Sequence, residues 1–340
     1  MTTPLLAALP RTTYAMAGLR IVSEVTLTEL VPWPSPDHGS LAHTLEHTAT
    51  VDIRFRQVSA LPCWPAFDGT PIFETTVRGA QLVIPELASV VVRGDGSGLD
   101  VEALPGDRDD AILLSHLLVD HAIPRLLVTR GETVLHATCV AEHDHAIAFL
   151  GATGTGKSTM ALGFCRDGAA LVADDCLVVR TDGNDVVALP SYPSGRLRED
   201  SADTLFGESA VTFSEAASGK RRVTLIGASG PVRLGGIVLL DRQASCEGPI
   251  SHRLRASEAL WALAGHSFLA AGAPASDVVA ARVTLTFAMA SMRWLAESVP
   301  VVRLTYPSDL TTLPSVRDHI RATALFPSTS SPRRNGEVNT

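Results

Sequence analysis

The stretch Ala146-Ile147-Ala148-Phe149-Leu150-Gly151-Ala152-Thr153-Gly154-Thr155-Gly156-Lys157-Ser158-Thr159 decides the fold. Its second part matches G-x-x-x-x-G-K-[ST], the pattern of a phosphate-binding loop. The five apolar residues before the loop predict a short buried strand. Met160, Ala161, Phe164 and Cys165 recur at helical spacing between Ser158 and Asp167 and predict a helix after it. A strand, a glycine-rich turn and a helix in this order imply an α/β fold arranged around an anion site.

Each residue type in the loop has its own reason to be there. Glycines at 151, 154 and 156 allow backbone dihedrals closed to other residues, so that consecutive N–H groups can turn inward around phosphate oxygens. The helix that follows adds free N–H groups and its dipole. Lys157 can reach β- and γ-phosphates as a mobile point charge, and the Ser158 hydroxyl is placed to ligate Mg²⁺. The expected cofactors are ATP and Mg²⁺, with Gly151 through Thr159 as the nucleotide-binding residues.

Working outward, Thr133 to Val140 predicts a strand, Glu142-His143-Asp144-His145 a turn, and Ala146 to Leu150 the strand feeding the loop. Downstream, Gly168 stands where a C-terminal glycine ends a helix. Ala169 to Val179 is apolar on both sides of Asp174 and Asp175. If this is one central strand, two buried carboxylates are costly unless a cation faces them, and a phosphate-bound Mg²⁺ would serve. The alternative is a solvated Asp-Asp turn between two strands.

Before the loop, Leu19 to Val22, Val51 to Phe55, Gln81 to Ile84 and Ser89 to Val92 predict strands separated by proline-rich turns. His38, His43 and His47 suggest a metal site, but no carboxylate or cysteine constellation accompanies them. Arg108 to Arg130 has a strongly apolar helical pattern interrupted at Pro124, which predicts one kinked helix or two short ones. After the acidic pair, Arg196 and Arg198 form one basic group and Lys220, Arg221 and Arg222 a second; either could meet phosphate or an acidic substrate, or simply face solvent. Val232 to Leu240 predicts a strand, Ser257 the N-cap of a helix through Leu269, and Asp277 to Glu297 a long helix. A strand at Val301 to Leu304 and a helix from Ser315 to Ala324 complete the pattern. The polar tail beyond Pro327 is expected to be disordered.

The 340 residues are 46% hydrophobic and 19% charged, as in a globular protein able to bury a sizeable core. The net charge of −8 and a pI near 5.7 argue against an electrostatically driven nucleic-acid binder. Five scattered cysteines, at 63, 139, 165, 176 and 246, without C-x-x-C spacing, imply neither a disulfide framework nor a zinc site. No membrane association is expected, and the predicted location is cytoplasmic.

Taken together, His136 on a strand, the hairpin, the loop Gly151 to Ser158 and the run Gly168-Ala169-Ala170-Leu171-Val172-Ala173-Asp174-Asp175 resemble the catalytic domain of bacterial HPr kinase/phosphorylase. Three separate motifs match in order and spacing, strongly from Arg130 to Val179 and loosely to Leu310. In that family the loop binds ATP, the Ser after the Lys helps to hold Mg²⁺, the strand His lies beside the active site, and the acidic pair supplies a base and a metal contact. The resemblance therefore implies Lys157, His136 and Asp174 as catalytic residues, with Asp174 the base, and Ser158 and Asp175 as metal contacts. One departure stands out. The family's glycine-rich segment after the acidic pair, associated with the phosphorylase reaction and with docking of HPr, is replaced here by Tyr192 to Asp200. The chain is more similar to the HPr-kinase-related proteins that accompany ribosomally made peptides, lasso peptides among them.

These features imply an α/β P-loop kinase domain of the HPr kinase type at 106–325, preceded by a β-rich region at 1–105 and followed by a tail at 326–340. The expected activity is transfer of the γ-phosphoryl group of ATP to a hydroxyl, most simply a Ser of a peptide or protein such as a ribosomal peptide precursor. A small-molecule acceptor of the free-serine type, or a nucleotide-binding regulator without catalysis, are the alternatives. The other expected partner is a further copy of the chain in a homo-oligomer.

Overall fold

Period-two alternation builds the first sheet of the protein, seen here in a computed structural model that describes residues 10–33, 49–61, 72–76, 79–207, 213–215, 219–268 and 278–323. His38, His43, His47 and the tail beyond 323 lie outside the described residues. In β2 (Leu19–Ser23), which follows β1 (Thr12–Met16), residues 19, 21 and 23 are buried while Arg20 is exposed. β3 (Thr50–Gln57), β4 (Ile72–Thr76), β5 (Gly79–Ile84), β6 (Ala88–Arg93) and β7 (Gly98–Ala103) complete seven strands in the order β1-β2-β3-β7-β6-β5-β4. β3 runs parallel to both β2 and β7, and the remaining pairs are antiparallel.

A helix from Arg108 to Thr129 covers this sheet, with α1 (Arg108–Leu117) and α2 (Ile123–Thr129) joined by one π-helical segment at Leu118–Ala122. Asp107 caps it, its carboxylate accepting from the N–H groups of Asp109 and Asp110. Pro124 can neither donate to residue 120 nor tolerate its carbonyl close by, and the wider π turn just before it relieves both constraints without a break. The expected interruption is thus a widening of one continuous helix. The helix is long and apolar enough to cross a membrane, with a mean hydropathy of 1.5, but 67% of that window is buried inside the protein. Its Leu114, Leu118, Ile123 and Leu126 share one core with Ile21, Ile53, Val90 and Leu99 of the first sheet, with Val178 and Leu189 of the second, and with Cys176 just before the strand of Val178.

The second sheet carries the phosphate-loop motif. Its strands are β8 (Thr133–Leu135), β9 (Thr138–Glu142), β10 (His145–Leu150), β11 (Ala170–Ala173), β12 (Leu177–Asp182) and β13 (Asp185–Leu189), with three more from the C-terminal part. α3 (Lys157–Arg166) follows β10. A small third sheet then joins β14 (Ser194–Leu197), β15 (Phe213–Glu215) and β16 (Arg221–Thr224), with α4 (Glu199–Phe206) between the first two. β17 (Val232–Gln243) lies parallel to β10, and β19 (Val301–Pro307) lies parallel to β17, with β18 (Ile250–Arg253) on its outer side. α5 (Ala256–Gly265), α6 (Val278–Ser298) and α7 (Leu313–Ala322) complete the chain. α5 begins after Arg255 and not after Ser257, because Glu258 accepts from the Arg255 N–H at 2.9 Å and so fixes the first turn two residues earlier. The result is a mixed α/β architecture.

One feature of this sheet positions the site. β8 pairs with β12 at Leu135 and Leu177, β9 pairs with β11 at Cys139 and Ala173, and the two pairings have the same register. They form one antiparallel ladder that parts in the middle, β9 passing on to β10 and β12 to β13. At the parting both chains leave strand geometry, at His136-Ala137 and at Asp174-Asp175-Cys176, held by the Asp175 N–H donating to Ala137 O at 3.1 Å. Asp175 has φ +99°. The acidic pair therefore does not lie inside one central strand: β11 is an edge strand, and the chain turns at the acids.

Candidate active site

The motif forms the turn between β10 and α3. Gly154 and Gly156 take φ +85° and +92°, and a Cβ at Gly156 would stand 2.6 Å from the hydroxyl of Tyr306 on β19. Tyr306 donates to Thr155 O, so a residue two strands away from β10 braces the loop. Burial pushes the Tyr306 phenol up to about 12, so it remains a donor at any working pH. Lys157 is buried at the first position of α3, its Nζ donating to Gly151 O at 2.9 Å. Burial holds its ammonium below the usual range, against the pull of Asp175 and Asp174.

The two acids occupy different environments. Asp174 is fully buried, and its Oδ1 accepts from Ser158 Oγ at 2.9 Å and Thr138 Oγ1 at 2.8 Å. Its Oδ2 accepts from the Arg196 N–H at 3.1 Å. Burial first, and then the neighbouring charge of Asp175, push its carboxyl up to about 6, although these donors favour the ionised form. Asp175 faces a cavity of about 310 Å³ whose walls are the loop from Thr153 to Thr159, the Arg196 to Ser201 segment, His116, Asp120, His121, His136 and Lys220. Asp174 is not part of that wall. His136 Nε2 lies 3.8 Å from Asp175 Oδ1, and desolvation keeps its imidazole below the usual range, with Asp175 opposing.

Behind Asp175 is a buried polar hub that the sequence left undecided. Arg196 donates to Asp175 Oδ2 at 2.8 Å and also contacts Asp120 Oδ2 and His116 Nδ1. His116 Nδ1 is 2.8 Å from Asp120 Oδ2. Tyr192 donates to Asp120 Oδ1 at 2.9 Å and to Asp174 O at 2.8 Å. Burial alone would raise the Asp120 carboxyl, but Arg196 and His116 outweigh it and hold the group well below the usual carboxylate range. Of the remaining basic candidates, Arg221 pairs with Asp203 at 3.0 Å and Arg222 with the buried Glu29 at 2.7 Å. Arg198 and Lys220 line the cavity.

The sequence-predicted loop, Ser158, Asp174, Asp175 and His136 are thus brought together around the parting of one ladder. His116 and Asp120 were missed. Their only sequence signal is an i, i+4 polar pair within an otherwise apolar helix, and a solvent-facing stripe would look the same. Tyr306 had no local signal at all.

Neither a family model nor a curated protein matches the sequence. Among solved structures the chain is similar to the HPr(Ser) kinase/phosphatase from Coxiella burnetii, with 13% identity over 55% of this chain and 96% of that one, at a TM-score of 0.28. At that score the likeness adds nothing to the site, whose interpretation rests on its own geometry.

Among the described residues no three His, Cys, Asp or Glu side chains converge as a metal cage. A Mg²⁺ ion is usually held by one or two carboxylates together with substrate phosphates. Ser158 Oγ and the carboxylate it touches, Asp174, are hard oxygen donors of that kind, and the Gly154 and Gly156 turn is the sort of cradle a phosphate needs.

Proposed function

We propose that the chain is an ATP-dependent kinase that transfers the γ-phosphoryl group to a hydroxyl, most simply a Ser of a peptide or protein. The observation that carries this reading is the contact of Ser158 Oγ with Asp174 at 2.9 Å beside a cavity that Lys157, Asp175 and His136 also line. A serine of a phosphate loop bonded to an acid from a neighbouring strand end is how such sites hold a nucleotide-bound Mg²⁺. A nucleotide-binding regulator would need the loop but not a second acid in the cavity.

In this proposal the roles inferred for the acids from the sequence are exchanged. Ser158 and Asp174 would hold the Mg²⁺, whose chemistry when bound is to neutralise charge on the transferring phosphates. Asp175, which lines the cavity beside His136, accepts the proton of the acceptor hydroxyl. Arg196 and the Ala137 carbonyl fix Asp175 from its carboxylate and from its backbone. Lys157 binds the phosphate oxygens. The remaining catalysis is positioning and charge neutralisation.

The test is radiolabelled phosphate transfer from ATP to Ser-containing peptides, measured against Mg²⁺ concentration. Asp175→Asn is expected to keep Mg-ATP binding and lose about 10²- to 10⁴-fold in transfer. Asp174→Asn is expected to raise the Mg²⁺ requirement, with partial recovery in excess metal. Interchanged profiles would return the base role to Asp174. The absence of both phosphate transfer and Mg²⁺-dependent ATP binding in the parent protein would overturn the kinase reading.

A further inference from the structure

The cavity walls carry more positive charge than their carboxylates balance. Asp120 and Asp175 are both engaged by Arg196. Asp200 accepts from the Ser201 N–H at 2.7 Å, in the first turn of its own helix. Arg242 donates to Ser308 O. Arg198 and Lys220 have no side-chain hydrogen bond or ion pair among the described residues, yet both line the cavity together with the phosphate loop.

Their placement follows from strand register. β14 and β16 are antiparallel, with Arg196 opposite Arg222 and Leu197 opposite Arg221. Arg198 directly follows β14 and Lys220 directly precedes β16, so both lie at the same end of the paired strands. Arg198 caps the helix that follows with an extended backbone, φ −67° and ψ 157°, two residues after Arg196, which touches Asp175. Two cations lining one cavity repel each other, and an anion bound between them would relieve that repulsion. The charge of Lys220 also reaches Lys157, where it adds to the depression of that ammonium.

We propose that Arg198 and Lys220 form a second anion subsite, in the cavity that the loop also lines, which takes the terminal phosphoryl group of the bound nucleoside triphosphate. This rests on the kinase reading above. Lys157 addresses the β- and γ-phosphates from the loop, and the two further cations meet the γ-phosphoryl group in the same cavity. Both share the cavity with Asp175, the acid that faces the acceptor, where negative charge shifts during transfer.

The experiment is calorimetric titration of Mg-ATP and Mg-ADP into the parent and into the Arg198→Ala/Lys220→Ala double variant. Arg198 is exposed and Lys220 half-buried, so the fold should tolerate both changes. The double variant should lose roughly ten- to a hundredfold in ATP affinity and less than about threefold in ADP affinity. Arg198→Lys/Lys220→Arg, which keeps both charges, should retain most of the preference for ATP. An unchanged ratio of the two affinities, whether both fall together or neither moves, would overturn the subsite while leaving the kinase reading intact. A parent that binds neither nucleotide would overturn both.

Discussion

Mild acid should destabilise this protein through His121, and the structure sets the size of the effect. The ring sits in the π-helical segment, 5.9 Å from the Phe73 ring and 6.1 Å from that of His116. Burial, assisted by the charge of Arg125, lowers its imidazole from 6.5 to about 4, although Asp120 pulls the other way. Above pH 6.5 the ring is neutral in both folded and unfolded chains and contributes nothing to the pH dependence. As the pH falls, the unfolded chain takes up a proton that the folded chain refuses until about pH 4, and stability is lost across that window. At 1.36 kcal/mol for each pKa unit, the loss attributable to this one ring is about 2 kcal/mol at pH 5. His121→Phe keeps an aromatic ring against Phe73 and removes the titration. Urea unfolding of parent and variant at pH 7.5 and pH 5 should show the variant gaining about 2 kcal/mol relative to the parent as the pH drops. Because the other histidines are common to both proteins, their titrations largely cancel in the difference. A gap that stays constant between the two pH values would refute the reasoning, since it would mean that the ring is solvated or already charged in the fold.

Two further outcomes concern the phosphate loop. Lys157→Ala should weaken ATP binding by roughly ten- to a hundredfold through loss of a charge-assisted phosphate contact, and calorimetry giving unchanged affinity in a folded variant would count against the loop as the nucleotide site. Tyr306→Phe removes only the donor to Thr155 O; a single hydrogen bond of about 1 kcal/mol predicts roughly a fivefold loss of ATP affinity, and no change would mean that the loop holds its shape without the brace.

The glycines at 154 and 156, the apolar run before them and the helical spacing after them determined the local structure of the loop from the sequence alone. The information is local there: positive-φ positions and hydrophobic periodicity act within a few residues of chain. The same holds for most strands and helices, whose ends moved by only a few residues. Inspection of the sequence could not settle the state of Asp174 and Asp175. Their apolar flanks are compatible with a strand, and the break arises only because the partner chain parts at His136-Ala137, so that one ladder feeds two directions. That parting seals Asp174 against Ser158 and Thr138 and turns Asp175 to the cavity, and so separates two adjacent carboxylates into different environments. Arg196, Asp120 and His116 come from segments about 80 residues apart in the chain, and their contact depends on the helix from Arg108 to Thr129 packing beside the third sheet. Burying an arginine between two carboxylates is a matter of desolvation against pairing, which tertiary packing decides and sequence spacing does not register.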